Sequence, residues 1–234
     1  MILSGAIIIL ATLCISLNSF PMTAEGADEA QDDQLQAGLM VRFELELTAT
    51  KQVLSDLALV HLKVANAYAD HQNFKKAVPW ANRAVRLDPT SLEALLTSGV
   101  VNFRMRNTAQ AMSSFESIIE LDPSNFDAYL HLGIMYSGRD DPSLAVEYLN
   151  QAIELAVSSE DLSTAYTYRG LAYSVMQSYE ECFSDLDQAL SINPDNWLAE
   201  LVQGKAIDSM NENMNSVPDQ DGDQGSETGV AFGA

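Results

Sequence analysis

Cationic side chains are scarce in this chain. Of its 234 residues only 12 are Lys or Arg, against 33 Asp or Glu, for a formal net charge of −21. Such a surface repels phosphate backbones and anionic headgroups, which argues against nucleic acid and the membrane surface as partners. Cysteine is nearly absent, with Cys14 and Cys182 alone. If the N-terminal segment is removed, Cys182 has no mate, and stability must come from packing. No N-x-S/T sequon occurs, so nothing points to glycosylation. The three histidines, His61, His71 and His131, have no metal-ligand spacing to cysteine or acid. GxSxG, HExxH, the P-loop and GxGxxG are missing too. The expectation is a protein that is not an enzyme, with no cofactor, no metal and no small-molecule substrate.

What is present is a packable chain with unevenly placed charge. Hydrophobic residues make up 47%, enough for a core, and the length suits one good-sized domain or a short repeat array. Between Ala58 and Ala109 there are seven basic side chains and three acidic; from Gln110 onward there are three basic and 22 acidic. The chain is electrically two-ended, which fits either a solvated acidic face and tail or an oriented contact. The opening MILSGAIIILATLCISL carries no charge, and NSFPM then TAEGADEAQDD follow it. An apolar stretch closed by proline and small residues reads as an export signal over 1–24, cleaved after Ala24, although no Lys or Arg precedes it. The alternative is an uncleaved membrane anchor, since the stretch sits at the short end of the spanning range. The expected location is exported, periplasmic or secreted.

The interior of the sequence repeats itself. RLDPTSLEALLTSG at 86–99 returns as ELDPSNFDAYLHLG at 120–133 and as SINPDNWLAELVQG at 191–204. Gly99 and Gly133 are 34 residues apart, Gly133 and Gly170 are 37 apart, and Gly170 and Gly204 are again 34 apart. The repeats cut as 58–91, 92–125, 126–159 and 163–196, each with two amphipathic helical patterns joined by a polar turn. Ser91, Asn125 and Asn196 stand where helices start, each with an acid in the turn that follows. Pro89, Pro123 and Pro194 end second helices. Small residues at Ala65, Gly99, Gly133 and Gly170 let paired helices approach, with Tyr68, Tyr136 and Tyr173 beside them and Asn102 in the equivalent place.

The string Tyr129-x-x-Leu132-Gly133-x-x-Tyr136, followed by Ala145, Leu149 and Ala152, resembles the tetratricopeptide repeat, and the likeness recurs in phase over 58–196. The resemblance implies an all-α, right-handed superhelical solenoid of antiparallel helix pairs, about four units plus a capping helix. The capping helix falls at 197–213 with Trp197 packed on the last repeat. Residues 25–57 form an acidic linker whose part from 35 to 57 is expected to be a helix shielding the other end, and 214–234 a disordered acidic tail. Pro79 is expected to disturb the first turns of its helix, and AVSSEDLS to lengthen the loop into the fourth unit. Cys182 reads as a small buried thiol. The tail segment DQDGDQGSE departs from a calcium loop at Gln224 and Val230, so it reads as solvated tail.

The resemblance also implies a function, protein binding on the concave surface lined by the first helix of each repeat. On this phase the residues left over from packing are Leu62, Lys63 and Asn66; Leu96, Val100, Phe103 and Arg104; Leu130, His131 and Ile134; and Tyr168 and Leu171. Thr97, Asp127 and His131 stand where a chaperone-peptide clamp needs other residues, so the stripe suits an apolar or amphipathic peptide or helix. The expected protein is a scaffold or adaptor in the cell envelope. Its alternatives are a self-associating structural module, that is, a homo-oligomer, and a repeat subunit of a secretion or assembly complex.

Overall fold

The computed structural model describes residues 29–138 and 141–216, and the side-chain surroundings of 38–138 and 141–213. The export-signal reading of 1–24 and the tail segment from 217 on, with its calcium-loop test, lie outside the described residues. The chain divides into two compact units, Met1–Val53 and Leu54–Ala234. Among the described residues there are nine helices and no strand. They are α1 (Glu29–Asp70), α2 (Phe74–Leu87), α3 (Leu92–Arg104), α4 (Thr108–Leu121), α5 (Phe126–Ser137), α6 (Pro142–Leu155), α7 (Ser159–Val175), α8 (Tyr179–Ile192) and α9 (Trp197–Ser216).

In the first unit, the described residues belong to the start of α1. Leu39, Met40, Val41, Phe43, Leu45 and Leu47 are exposed along it. Thr48 and Thr50 turn their hydroxyls back onto the carbonyls of Glu44 and Glu46. The stretch 35–57 expected to be a helix lies within α1.

In the second unit, a helical solenoid, helices pair in sequence order: α1 with α2, α3 with α4, α5 with α6 and α7 with α8, while α9 packs on α8 and α7. First helices of neighbouring hairpins also touch one another, α5 with α7 and α7 with α9. That puts the first helices on the inner side of the curve. Three connections between hairpins repeat one construction. Asp88, Asp122 and Asn193 each fold a side-chain oxygen onto the backbone N–H two residues on, after the last helical turn. Ser91, Asn125 and Asn196 then cap the next helix by accepting from Ala94, Ala128 and Ala199. The sequence DPTS, DPSN or NPDN is this turn written out.

Within hairpins the turns need a left-handed residue, supplied by Gln72, Arg106 and Gln177 at φ 56°, 60° and 60°. Glycine matters elsewhere. A Cβ on Gly99 would meet Phe115 at 2.7 Å, and one on Gly133 would meet Leu149 at 2.5 Å. The second helix lies so close that only glycine leaves room for a large apolar side chain beneath it.

Three expectations are corrected here. The three residues added between Gly133 and Gly170 do not lengthen the loop. AVSSEDLS contributes only 156–158 to the connection, and Ser158 with Asp161 forms a capping box that carries α7 to 17 residues. Pro79 does not disturb α2, which runs unbroken through it. Pro79 and Lys75 are both exposed, so water can satisfy the carbonyl that the proline leaves without a donor. Trp197 does not pack on the last repeat; it is 70% exposed, and Ala199, Val202 and Ala206 make that contact instead.

Candidate interaction surface

The first helices bring the predicted stripe to one side, and their neighbours decide how much of each side chain remains available. Leu62 is buried among Ala84, Ala94 and Val85, and Leu130 among Ala145, Leu149 and Ala165. Both are core, correcting the reading that packing leaves them free. At their position along the helix the side chain drops between two hairpins. Leu96, Val100 and Phe103 are half-buried against the core of the second and third hairpins. Ile134 and Tyr168 do the same between the third and fourth, and Leu171 beside α8. Lys63 and Arg104 are exposed, and the Arg104 guanidinium lies 6.0 Å from the centre of the Phe74 ring.

Two members join neighbouring hairpins. Thr97 donates its hydroxyl to the Asn66 side-chain oxygen at 3.0 Å. His131 stacks on Phe115 with ring centres 4.7 Å apart, and Phe103 is tilted against it at 6.1 Å. Among the described residues, His131 Nδ1 has no hydrogen-bond partner. Burial holds the imidazole below the ordinary histidine pKa, with Asp127 pulling up and Arg104 pushing down. A neutral imidazole wedged between phenylalanines is a packing group in this arrangement.

The polar residues that organise the interior were not part of the predicted stripe. In the second hairpin Asn102 is fully buried and donates to Asn82 Oδ1 at 2.8 Å and to the Ser98 carbonyl at 2.9 Å, while Asn107 donates to Asn102 Oδ1. In the fourth, Arg169 grips Asp185 with two bonds, Nε to Oδ2 at 2.7 Å and Nη2 to Oδ1 at 2.6 Å, and donates Nη1 to Asn150. A charged residue on an otherwise apolar helix stripe was the available signal for this pair. Tyr173, Glu180, Glu181 and Ser184 line a cleft beside it. The guanidinium there is spent on its carboxylate, so it offers an incoming anion little.

Cys182 is buried, and burial pushes its thiol up to about 11, which leaves it unreactive at neutral pH. Among the described residues no group of three or more His, Cys, Asp or Glu is placed to hold a metal ion. No helix there is long and apolar enough to cross a membrane.

Two models of the tetratricopeptide repeat match the chain, one over residues 93–125 and the other over 126–156 and 163–196. With the repeating hairpins, these matches decide the family. The chain is a tetratricopeptide repeat protein. No curated protein matches this tetratricopeptide protein in sequence. Among solved structures it resembles MamA at 23% identity and a TM-score of 0.56, over 63% of this chain and 85% of that one. It resembles pilF of Pseudomonas aeruginosa at 16% identity and a TM-score of 0.58, over 70% and 72% of the two chains. A tetratricopeptide repeat protein from Parabacteroides merdae aligns at 11% identity and a TM-score of 0.59, over 80% and 76%. Identities this low speak for the shared fold.

Proposed function

We propose that this tetratricopeptide protein is a non-enzymatic scaffold that holds an apolar or amphipathic segment of a partner protein on its first-helix face, outside the cytoplasm. The repeat family supports a protein-interaction role. The observation that carries the reading is the run of half-buried apolar side chains on α3, α5 and α7: Leu96, Val100, Phe103, Ile134, Tyr168 and Leu171. Each has one side packed and the other open, so it can bury further area without unfolding anything. At roughly 25 cal/mol per Å2 of apolar area, such a row supports binding by a helix laid along it. Lys63 and Arg104 at the rim would favour acidic residues flanking the apolar ones. Export is supported by the uncharged opening stretch of the sequence and its small-residue ending.

The test is affinity capture from the native envelope with the full chain and two variants. Phe103→Asp with Ile134→Asp places charge in the row, and thermal unfolding checks that the fold survives. Lys63→Glu with Arg104→Glu leaves the packed side chains alone. Loss of the same captured partner in both variants supports the reading. An unchanged set of partners in both removes this face as the site.

A further inference from the structure

Among the described residues, both ends of the array stop on an open first-helix face. At the start, Val60 is 55% exposed. The residues in the same place of the later first helices, Ala94, Ala128, Ala165 and Ala199, are at most 1% exposed because the preceding second helix covers them. One heptad on, Ala67 is exposed, whereas Val101, Met135, Ala172 and Ala206 in that place are buried. At the other end, α9 keeps the repeat glycine, and among the described residues no helix lies over it. Gly99, Gly133 and Gly170 are covered by Phe115, Leu149 and Leu186, but a Cβ on Gly204 would meet nothing within 4 Å among the described residues. Around it Trp197, Leu201 and Ile207 are 70%, 45% and 42% exposed.

Charge says what covers these faces. The α9 face bears Glu200 and Asp208, exposed, with Lys205 beside Gly204 as its one cation, a net negative charge, within the part of the chain that holds 22 acidic and three basic residues. Pairing α9 with α9 of another molecule would set like charges together. The opening hairpin carries Lys63, Lys75, Lys76, Arg83 and Arg86, all exposed. We propose that copies of this chain associate head to tail, the Trp197–Leu201–Gly204 face of α9 in one copy closing on the Val60–Ala67 face of α1 in the next. Small residues at Gly204 and Ala67 let the helices approach, and Lys63 meets the acids of α9. The contact uses a different patch on each partner, so it is heterologous and leaves one free face of each kind on every assembly. It shares Lys63 with the rim of the proposed partner row but none of that row's apolar side chains, and stands apart from that reading.

The experiment is sedimentation velocity on the full chain and on Val60→Glu and Leu201→Glu. Both positions are exposed, and circular dichroism checks folding. Wild type should gain mass with concentration at about 0.05 M salt, and the apparent association constant should fall about tenfold or more by about 1 M as the charges are screened. Each variant alone should be monomeric. Mixed, the two should give a dimer and nothing larger, because each still owns the face its partner has lost. A wild-type monomer under every condition overturns the proposal, as do variants that still associate alone. Association by Val60→Glu but not by Leu201→Glu would mean α9 pairing with itself, and would overturn it as well.

Discussion

In the second hairpin the space between helices holds neutral polar groups, Ser98, Asn102, Asn107 and Ser114, tied to Asn82 of the first and each bonded to another or to a backbone carbonyl. The fourth hairpin fills the corresponding region with an ion pair, Arg169 and Asp185, tied to Asn150 of the third. The frame around the two is the same. Arg106 and Gln177 occupy the left-handed position of the turn, Gly99 and Gly170 sit beneath Phe115 and Leu186, and a buried alanine or cysteine follows at Ala111 and Cys182. The fold is therefore set by the small residues and turns, while the interior accepts any polar group whose partners are present. The two interiors should differ most when a partner is removed, because an orphaned charge costs more than an orphaned amide.

The largest effect belongs to the ion pair. Asp185→Ala strands the Arg169 guanidinium, whose side chain is 20% exposed, and should cost about 3 kcal/mol or more in urea unfolding. Arg169→Met with Asp185→Leu removes both charges and should recover most of that loss. A cost for Asp185→Ala no greater than that of an exposed pair, about 0.5 kcal/mol, would show the carboxylate to be solvated.

The frame can be tested at glycines that differ only in what lies above them. Gly133→Ala drives a methyl into Leu149 and should cost about 1–3 kcal/mol. Gly204→Ala meets open space and should stabilise α9 by about 0.5–1 kcal/mol through helix propensity. Equal effects at the two positions would refute the claim that the covering helix makes the repeat glycine necessary. In the second hairpin, Asn102→Ala leaves Asn107 Nδ2 and one acceptor site on Asn82 unfilled. It should cost about 1–2 kcal/mol, less than Asp185→Ala, in the same unfolding measurement.

Much of this frame was legible because it is written in residues with few alternatives. Proline, aspartate and the capping serine or asparagine spell the turn between hairpins, and glycine at a 34-residue spacing marks the close approach. The interior was harder to read. Asn102 was visible as an exception to tyrosine, but its partner Asn82 lies on another helix, and nothing local links them. Leu62 and Leu130 looked free because helical phase shows which side a residue occupies but not how deep the next hairpin reaches. Trp197 misled in the opposite sense: its size suggests burial, yet α9 turns its alanines inward. The extra residues before α7 suggest a longer loop, whereas Ser158 and Asp161 form a capping box that begins the helix earlier. For the interaction surface, sequence phase located the side of the array, and packing reduced the available members to those half-buried.

His131 gives a third case between the neutral and the charged interior, a buried polar group whose Nδ1 has no partner among the described residues. Burial lowers its pKa in the folded chain below the ordinary value, with Asp127 opposing and Arg104 assisting. The unfolded chain therefore takes up the proton first, near pH 6.5. Folding keeps its full contribution from this site above that pH. It loses stability progressively as the pH falls toward the lower folded value, and the loss levels off beneath it. His131→Phe keeps a ring against Phe115 and removes the titration. Between pH 7.5 and 5.5 the wild type should lose more unfolding free energy than the variant, measured by urea unfolding at each pH. A smaller residual slope should persist from His61, whose pKa burial and Arg83 also lower. Identical pH slopes for wild type and His131→Phe would mean that the imidazole is protonated as easily in the fold as outside it, with water reaching the ring between Phe103 and Phe115.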